Sequence, residues 1–227
     1  GIISSMVQGN FSGFTQQTFE FFMKIGFENT PQRFEELRGE FNETVLLPLK
    51  QLSLSVSPLL ATIDAQLDLR PVIGGTISRI RRDTRFSKNK APYRTMMWLK
   101  FTTKNPGMRL AYYFDLNPSG CAMGLGTTHS TPQEMTAKRK YFLAHPGQTV
   151  SLLEKYKSQG FTLYGPSYKR PPQTSEDPVL MDLLKRKYFG FEKPIAMQAV
   201  FTPELSEILR EGYASLADFY HFYNKQS

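Results

Sequence analysis

Apolar residues recur at helical spacing through the first third of the chain and switch to alternation after Gly74-Gly75. Phe19, Phe22 and Met23, with Phe21 and Ile25 beside them, fall on one face of a helix that Thr15 caps. Thr30-Pro31 opens a second helix, because proline's missing N–H is tolerated in a first turn. Phe34, Leu37, Phe41 and Val45 follow it at steps of three and four. Pro48 and Ser57-Pro58 read as restarts of Leu-rich helical segments. Over residues 76–86 the pattern alternates, with Ile77, Arg79, Arg81, Asp83 and Arg85 on one side and Ser78, Ile80, Arg82, Thr84 and Phe86 on the other. Residues 96–102, 109–116 and 121–126 predict further strands. Asn105-Pro106-Gly107 and Asn117-Pro118-Ser119-Gly120 are turn signals between them, which implies an antiparallel meander.

Thr131-Pro132-Gln133-Glu134 has the spacing of a capping box and predicts a helix to about residue 145. A second helix should cover about 148–158 and stop at Gly160. A strand at 161–164, a Pro-rich loop at 165–177, a short helix at 179–187 and a strand at 195–201 follow. Thr202-Pro203 then starts a final helix bearing Leu205, Ile208, Leu209, Leu216 and Phe219. No internal repeat and no long linker interrupts the series. The expectation is one α+β domain over 12–227, a mainly antiparallel sheet with N-terminal, middle and C-terminal helices around it. Residues 1–11 read as a tail: the start at Gly1 suggests a tag remnant, with Met6 a natural beginning.

With 40% hydrophobic and 13% aromatic residues among 227, the chain has enough apolar surface for a substantial core. No apolar run reaches the roughly 18 residues of a membrane span, and residues 1–5 lack a signal peptide's basic start, so no membrane partner is expected. A single Cys121 forbids an intramolecular disulfide and suits a reducing compartment, which makes a cytoplasmic location the expectation. Charge changes the picture more. Residues 1–78 carry five Lys/Arg against eight Asp/Glu, whereas 79–94 carry seven cations against Asp83 alone. Sixteen residues thus hold most of the +8 net charge, which points to an anionic partner.

On a strand, Arg81 and Arg85 would flank Asp83 at about 6.5–7 Å, so the carboxylate could orient either guanidinium. Ser87 and the N–H groups that follow, with Lys88 and Lys90, could embrace an anion where the chain leaves the strand. The candidate ligand-binding residues are therefore Arg79, Arg81, Arg85, Ser87, Lys88, Lys90 and Arg94. Tyr93 would add a hydroxyl, and Asp83 and Tyr93 are the acid–base candidates if the site is catalytic at all. Other chemistry has little support. Cys121 and His129 alone do not make a zinc site, and a Ser87/His129/Asp83 set lacks a nucleophile elbow. Gly124-Leu125-Gly126 is no dinucleotide fingerprint, so no metal or cofactor is indicated. Trp98, Tyr112, Tyr113 and Phe114 could stack bases but suit a core as well.

The run Arg79-Ile-Arg-Arg-Asp-Thr-Arg-Phe-Ser-Lys-Asn-Lys-Ala-Pro-Tyr-Arg-Thr95 resembles the signature of the family known as domain of unknown function 2461. The likeness spans nearly the whole chain: Phe14 through Phe22, Asn29 and Phe34, Tyr112-Tyr113-Phe114, Gly124-Leu125-Gly126, Arg139 and Leu183-Leu184-Lys185 fit its pattern. The chain departs from that pattern at Arg33, Asn89, Met96 and Asp177. The resemblance implies an intracellular α+β domain and supplies no activity. Three readings follow: a pocket for a small anionic, plausibly phosphorylated ligand; a nucleic-acid-binding surface; or arginines that bridge Glu35, Glu36 or Glu40 and hold sheet to helices.

Overall fold

A computed structural model describes residues 10–225. Helix α1 (Gln16–Phe27) starts at Thr15 in a capping box with Thr18. Helix α2 (Pro31–Phe41) runs through a π-helical turn, Asn42–Leu46, into α3 (Leu47–Ile63). Strands β1 (Met97–Thr102), β2 (Leu110–Leu116) and β3 (Cys121–Thr127) form the predicted meander. Helices α4 (Pro132–Ala144) and α5 (Pro146–Ser158) lead to β4 (Thr162–Tyr164), then to α6 (Pro178–Leu184) and β5 (Gly190–Ile195). A single turn, α7 (Met197–Val200), precedes the long α8 (Glu204–Asn224). The sheet is antiparallel throughout, in the order β1-β2-β3-β5-β4. This is an α+β domain.

One face of the sheet makes the core. Met97, Leu99, Phe101, Leu110, Tyr112, Phe114, Leu116, Met123, Leu125 and Phe191 are buried there. Helix α8 lies across them with Leu209, Tyr213, Leu216, Phe219 and Tyr220 buried on the facing stripe, and α3 packs against α8 with Leu49, Leu52, Val56 and Leu60. The continuous helical run Pro31–Ile63 is long and apolar enough to cross a bilayer by length and composition, but its Leu49–Leu60 row is covered by protein. Phe11, assigned to the tail by the sequence, is buried edge-on against Phe14. The expected tag remnant lies outside the described residues.

Several expectations need correction. Pro48 and Pro58 do not restart helices; both sit within one. Pro48 has no N–H to offer Thr44 O, four residues back, and the Thr18 hydroxyl of α1 donates to that carbonyl at 2.7 Å. The buried face of α1 is Thr18, Phe21, Phe22 and Ile25, while Met23 is 70% exposed. The strand predicted at 195–201 is in fact β5 at Gly190–Ile195, and Met197–Val200 is helical. Pro194 is tolerated in β5 because β4 pairs only with Gly190–Glu192, so no strand lies beside it on that edge. Residues 76–86 are not a regular strand; they form the irregular hairpin described below.

The Thr18 contact gives a stability test. Thr18→Val keeps the shape but strips the donor from a buried carbonyl, so it should lower unfolding free energy by about 1–3 kcal/mol. Denaturant midpoints measure this; an unchanged midpoint would show that the carbonyl finds its partner elsewhere.

Candidate functional site

The segment rich in cations runs back alongside the chain that enters β1. Lys100 N donates to Thr76 O at 2.8 Å and Ser78 N to Trp98 O at 3.0 Å. Further out, Arg94 N donates to Ile80 O at 2.8 Å and Arg82 N to Pro92 O at 2.7 Å. Ile77 faces Leu99 and Arg81 faces Tyr93, so a shorter span on one side opposes a longer one on the other, and the ladder cannot stay in register. Ile77 and Ser78 are both buried, which breaks the predicted alternation at that point.

Residues of the α1–α2 connection and of α2 anchor the hairpin. Asn29 acts as a substitute strand: its Nδ2 donates to Tyr93 O and its Oδ1 accepts from Tyr93 N, both at 2.9 Å. Phe34 stacks on the Tyr93 ring at 4.5 Å. Tyr93 is buried by this packing, an anchor beneath the hairpin. Arg82 braces the tip from within, with Nη1 donating to Ala91 O at 2.8 Å and Nη2 to Ser87 Oγ at 3.3 Å. Asp83 pairs with Arg85, Nη2 to Oδ2 at 2.7 Å, and Arg81 rests over the Tyr93 ring. The Arg85 hydrogen bonds hold the exposed Asp83 carboxyl below the ordinary range, so it carries no proton to give near neutrality. Lys90 Nζ donates to Thr84 O, Ser87 N to Thr84 O and Ala91 N to Asn89 Oδ1, so much of the loop's donor capacity is spent on itself.

Arg79, Arg81, Arg85, Lys88 and Lys90 are exposed on this projection, and Phe86 among them is 95% exposed. None of the cavities described below is lined by them. Their proposed carboxylate partners are occupied elsewhere: Glu35 by Arg38, Glu36 by Arg33 and Glu40 by Lys24. Ser87 lies on the hairpin, whereas His129 lies beyond the end of β3 from Cys121, so neither the triad nor the zinc pair is assembled among the described residues.

Arg94 differs from the other cations of the segment. It is half-buried, its guanidinium lies 4.7 Å over the Trp98 ring, and its Nε has no hydrogen-bond partner among the described residues. Burial, and then the nearby charge of Arg82, lower its proton affinity. Trp98 belongs to the outer face of the sheet, which α8 does not cover. There β1 presents Trp98 and Lys100, β2 Ala111, Tyr113 and Asp115, β3 Gly126, β4 Tyr164 and β5 Glu192, around an open cavity of about 380 Å³. A second hollow of about 300 Å³ meets it at Lys100 and Thr128 and extends to Gly75, Arg109 and His129. His129 holds φ at 48°, the left-handed region that a non-glycine residue seldom enters.

Glycine makes the hollow. A Cβ on Gly190 would lie 2.4 Å from Tyr164 Oη, and one on Gly124 2.6 Å from Tyr113 Oη, so both phenols lie down on bare backbone. Their hydroxyls are 3.1 Å apart, and Tyr113 Oη donates to Glu192 Oε1 at 2.9 Å. Lys100 Nζ donates to Thr128 Oγ1 at 2.7 Å and meets no carboxylate among the described residues; burial lowers its proton affinity. Asp115 has no hydrogen bond or ion pair among the described residues. Burial first, and the charge of Glu192 second, push its carboxyl up to about 6.

A larger cavity of about 710 Å³ lies between α5, β4 and α6, walled by Leu153, Phe161, Leu163, Val179, Met181 and Phe191. On its rim Asp182 is already paired with Lys185 and Arg186, and Glu154 and Lys157 are exposed. The sheet face is the better candidate because Lys100 and Asp115 are partly buried there without a charged partner among the described residues. Sequence reasoning missed Lys100, Asp115, Tyr164 and Glu192. Lys100, Tyr113 and Asp115 stand at alternate positions opposite the apolar ones of their strands, a signal that was present; Glu192 gave none once β5 was misplaced.

A family model described as a conserved hypothetical protein, DUF2461, matches residues 17–222. No curated protein matches the chain.

The Asp115 carboxyl sets a pH test of this geometry. Its proton affinity is higher folded than unfolded, so its contribution to stability is full at acid pH and is lost as pH rises through about 6. Asp115→Asn removes that loss. Relative to wild type, the variant should gain about 1–2 kcal/mol between pH 4 and pH 7. Parallel stability curves for the two proteins would mean that Asp115 is fully solvated.

Proposed function

The chain belongs to the DUF2461 family, and we propose that it binds a small anionic ligand on the outer face of the sheet, with the anion seated between Arg94 and Lys100. One observation carries the reading: two partly buried cations border the same face, and neither has a carboxylate partner among the described residues. Partly buried cations ordinarily gain a counter-charge from the protein. Here Arg94 Nε is left without an acceptor and Lys100 has only the Thr128 hydroxyl. A phosphate or carboxylate supplies what both lack. Trp98 gives the ligand a flat apolar wall, and the volume suits a small molecule. The exposed hairpin cations then act at longer range, raising the local concentration of anions near the groove.

Thermal melting with inorganic phosphate tests the assignment. Phosphate should raise the wild-type Tm by mass action. Arg94→Ala and Lys100→Ala should each lose most of the rise, whereas Arg85→Ala should keep most of it and Lys185→Ala all of it. Loss in Arg85→Ala with retention in Lys100→Ala would move the site to the hairpin. The exposed Phe86 among cations favours a second reading, stacking and phosphate contacts with single-stranded nucleic acid. That reading requires oligonucleotide affinity that grows with length and falls steeply with salt, by about −0.7 in the log–log slope per contact.

A further inference from the structure

We infer that the groove is an acid–base site as well as an anion seat: Asp115 exchanges a proton with the bound ligand. The inference rests on the seat at Arg94 and Lys100, and its own ground lies in how the strands fill this face. On β3 the positions between Asp115 and Pro194, and between Tyr113 and Glu192, are Ala122 and Gly124, so little side chain separates β2 from β5. Side chains from both sides lean over this trough, and the two carboxyls share it in unlike surroundings. Glu192 Oε1 accepts the Tyr113 hydroxyl at 2.9 Å. The Tyr113 and Tyr164 hydroxyls lie 3.1 Å apart, so the side chain of Glu192 is tied to a pair of phenols.

Asp115 stands in the neighbouring row, opposite Trp98, with no hydrogen-bond or ion-pair partner among the described residues. Glu192 is already held by a hydrogen bond, so Asp115 is the carboxyl of this face left to meet a ligand oxygen. The charged and titratable groups around Asp115 are Lys100 on β1, Tyr113 on β2, Glu192 on β5 and Tyr164 on β4. Arg94 approaches beyond Trp98. Cys121, at the start of β3, and Tyr213, on the buried face, also feel its charge. Glu192 is the anion of this set, and a ligand anion adds to its effect.

The proton balance is simple. When an anion settles on Arg94 and Lys100, the added negative charge draws one proton from solvent onto an Asp115 oxygen. The resulting O–H donates to an oxygen of the ligand. A ligand basic enough to take the proton outright leaves Asp115 a carboxylate, with total charge conserved and no other reactant needed. Diagonal and direct neighbours across strands lie about 4.5–8 Å apart. The fitting class is therefore small hydroxy or keto compounds with a phosphate or carboxylate a few bonds from the oxygen.

Sulfate is the probe, because it does not titrate near neutrality. Calorimetry at pH 7 in two buffers of different ionisation enthalpy counts the protons taken up on binding. Wild type should take up most of one proton, and its affinity should fall by up to about tenfold per pH unit above the Asp115 titration. Asp115→Asn, which keeps a donor, should bind sulfate with no uptake and a flat pH profile. Glu192→Gln, a second variant in case the first misfolds, should show reduced uptake at the same pH. Binding by wild type without proton uptake, or equal uptake in both variants and wild type, overturns the role of Asp115 and leaves the anion seat standing. Failure of wild type to bind sulfate overturns the seat, and this inference with it.

Discussion

The sheet has one face to give to a core, and the C-terminal helix takes it. Leu209, Tyr213, Leu216, Phe219 and Tyr220 of α8 cover the inner residues of the strands. Gly212 comes so near that a Cβ there would sit 2.3 Å from the Met123 methyl. Two polar contacts fix the crossing: Tyr213 Oη donates to Tyr113 O at 2.6 Å and Tyr112 Oη to Tyr213 O at 3.3 Å. Buried hydroxyls of this kind cost free energy unless paired, so they hold helix to sheet in a single arrangement. Everything on the other face follows from this commitment, because the helices that could have covered it are used elsewhere.

What remains outside is shaped by absence of side chain. Gly124, Gly126 and Gly190 leave a trough in which Tyr113 and Tyr164 lie flat, their hydroxyls meeting each other and that of Tyr113 donating to Glu192. Lys100 lines it from β1 and the carboxyls of Asp115 and Glu192 from β2 and β5, and no ion pair joins Lys100 to either among the described residues. A surface that keeps unlike charges unpaired around one hollow gives up the stability of pairing them, which is what a site for a polar ligand requires. The hairpin stands at the border of this face. It is held by Asn29, Phe34 and Arg82, so its rigidity comes from the helices and from its own tip.

Much of this architecture was legible in the residues. Thr15, Thr30-Pro31 and Thr131-Pro132 marked helix starts because capping is local chemistry. The meander was readable from two Asn-Pro turns between alternating runs. Long-range decisions were not. Nothing local says that a π turn and Thr18 would carry the chain past Pro48, or that Pro194 would sit where no neighbouring strand needs its N–H. The segment 79–94 announced itself through charge density, yet of its cations Arg94 is the one that stacks on Trp98, a wall of the groove. Lys100, Asp115 and Glu192 are single charges on three different strands, and only the register across Gly124 and Ala122 brings them onto one face.

The central claim is that ligand chemistry belongs to the outer sheet face rather than to the hairpin tip. Nuclear magnetic resonance of isotope-labelled protein titrated with phosphate separates the two directly. The account predicts that the Trp98 indole, the Arg94 Nε–H and the backbone amides of Lys100 and Asp115 shift together and saturate. The amides of residues 85–90 should drift weakly and without saturation. Saturable shifts confined to 85–90, with Trp98 and Lys100 unmoved, would contradict it.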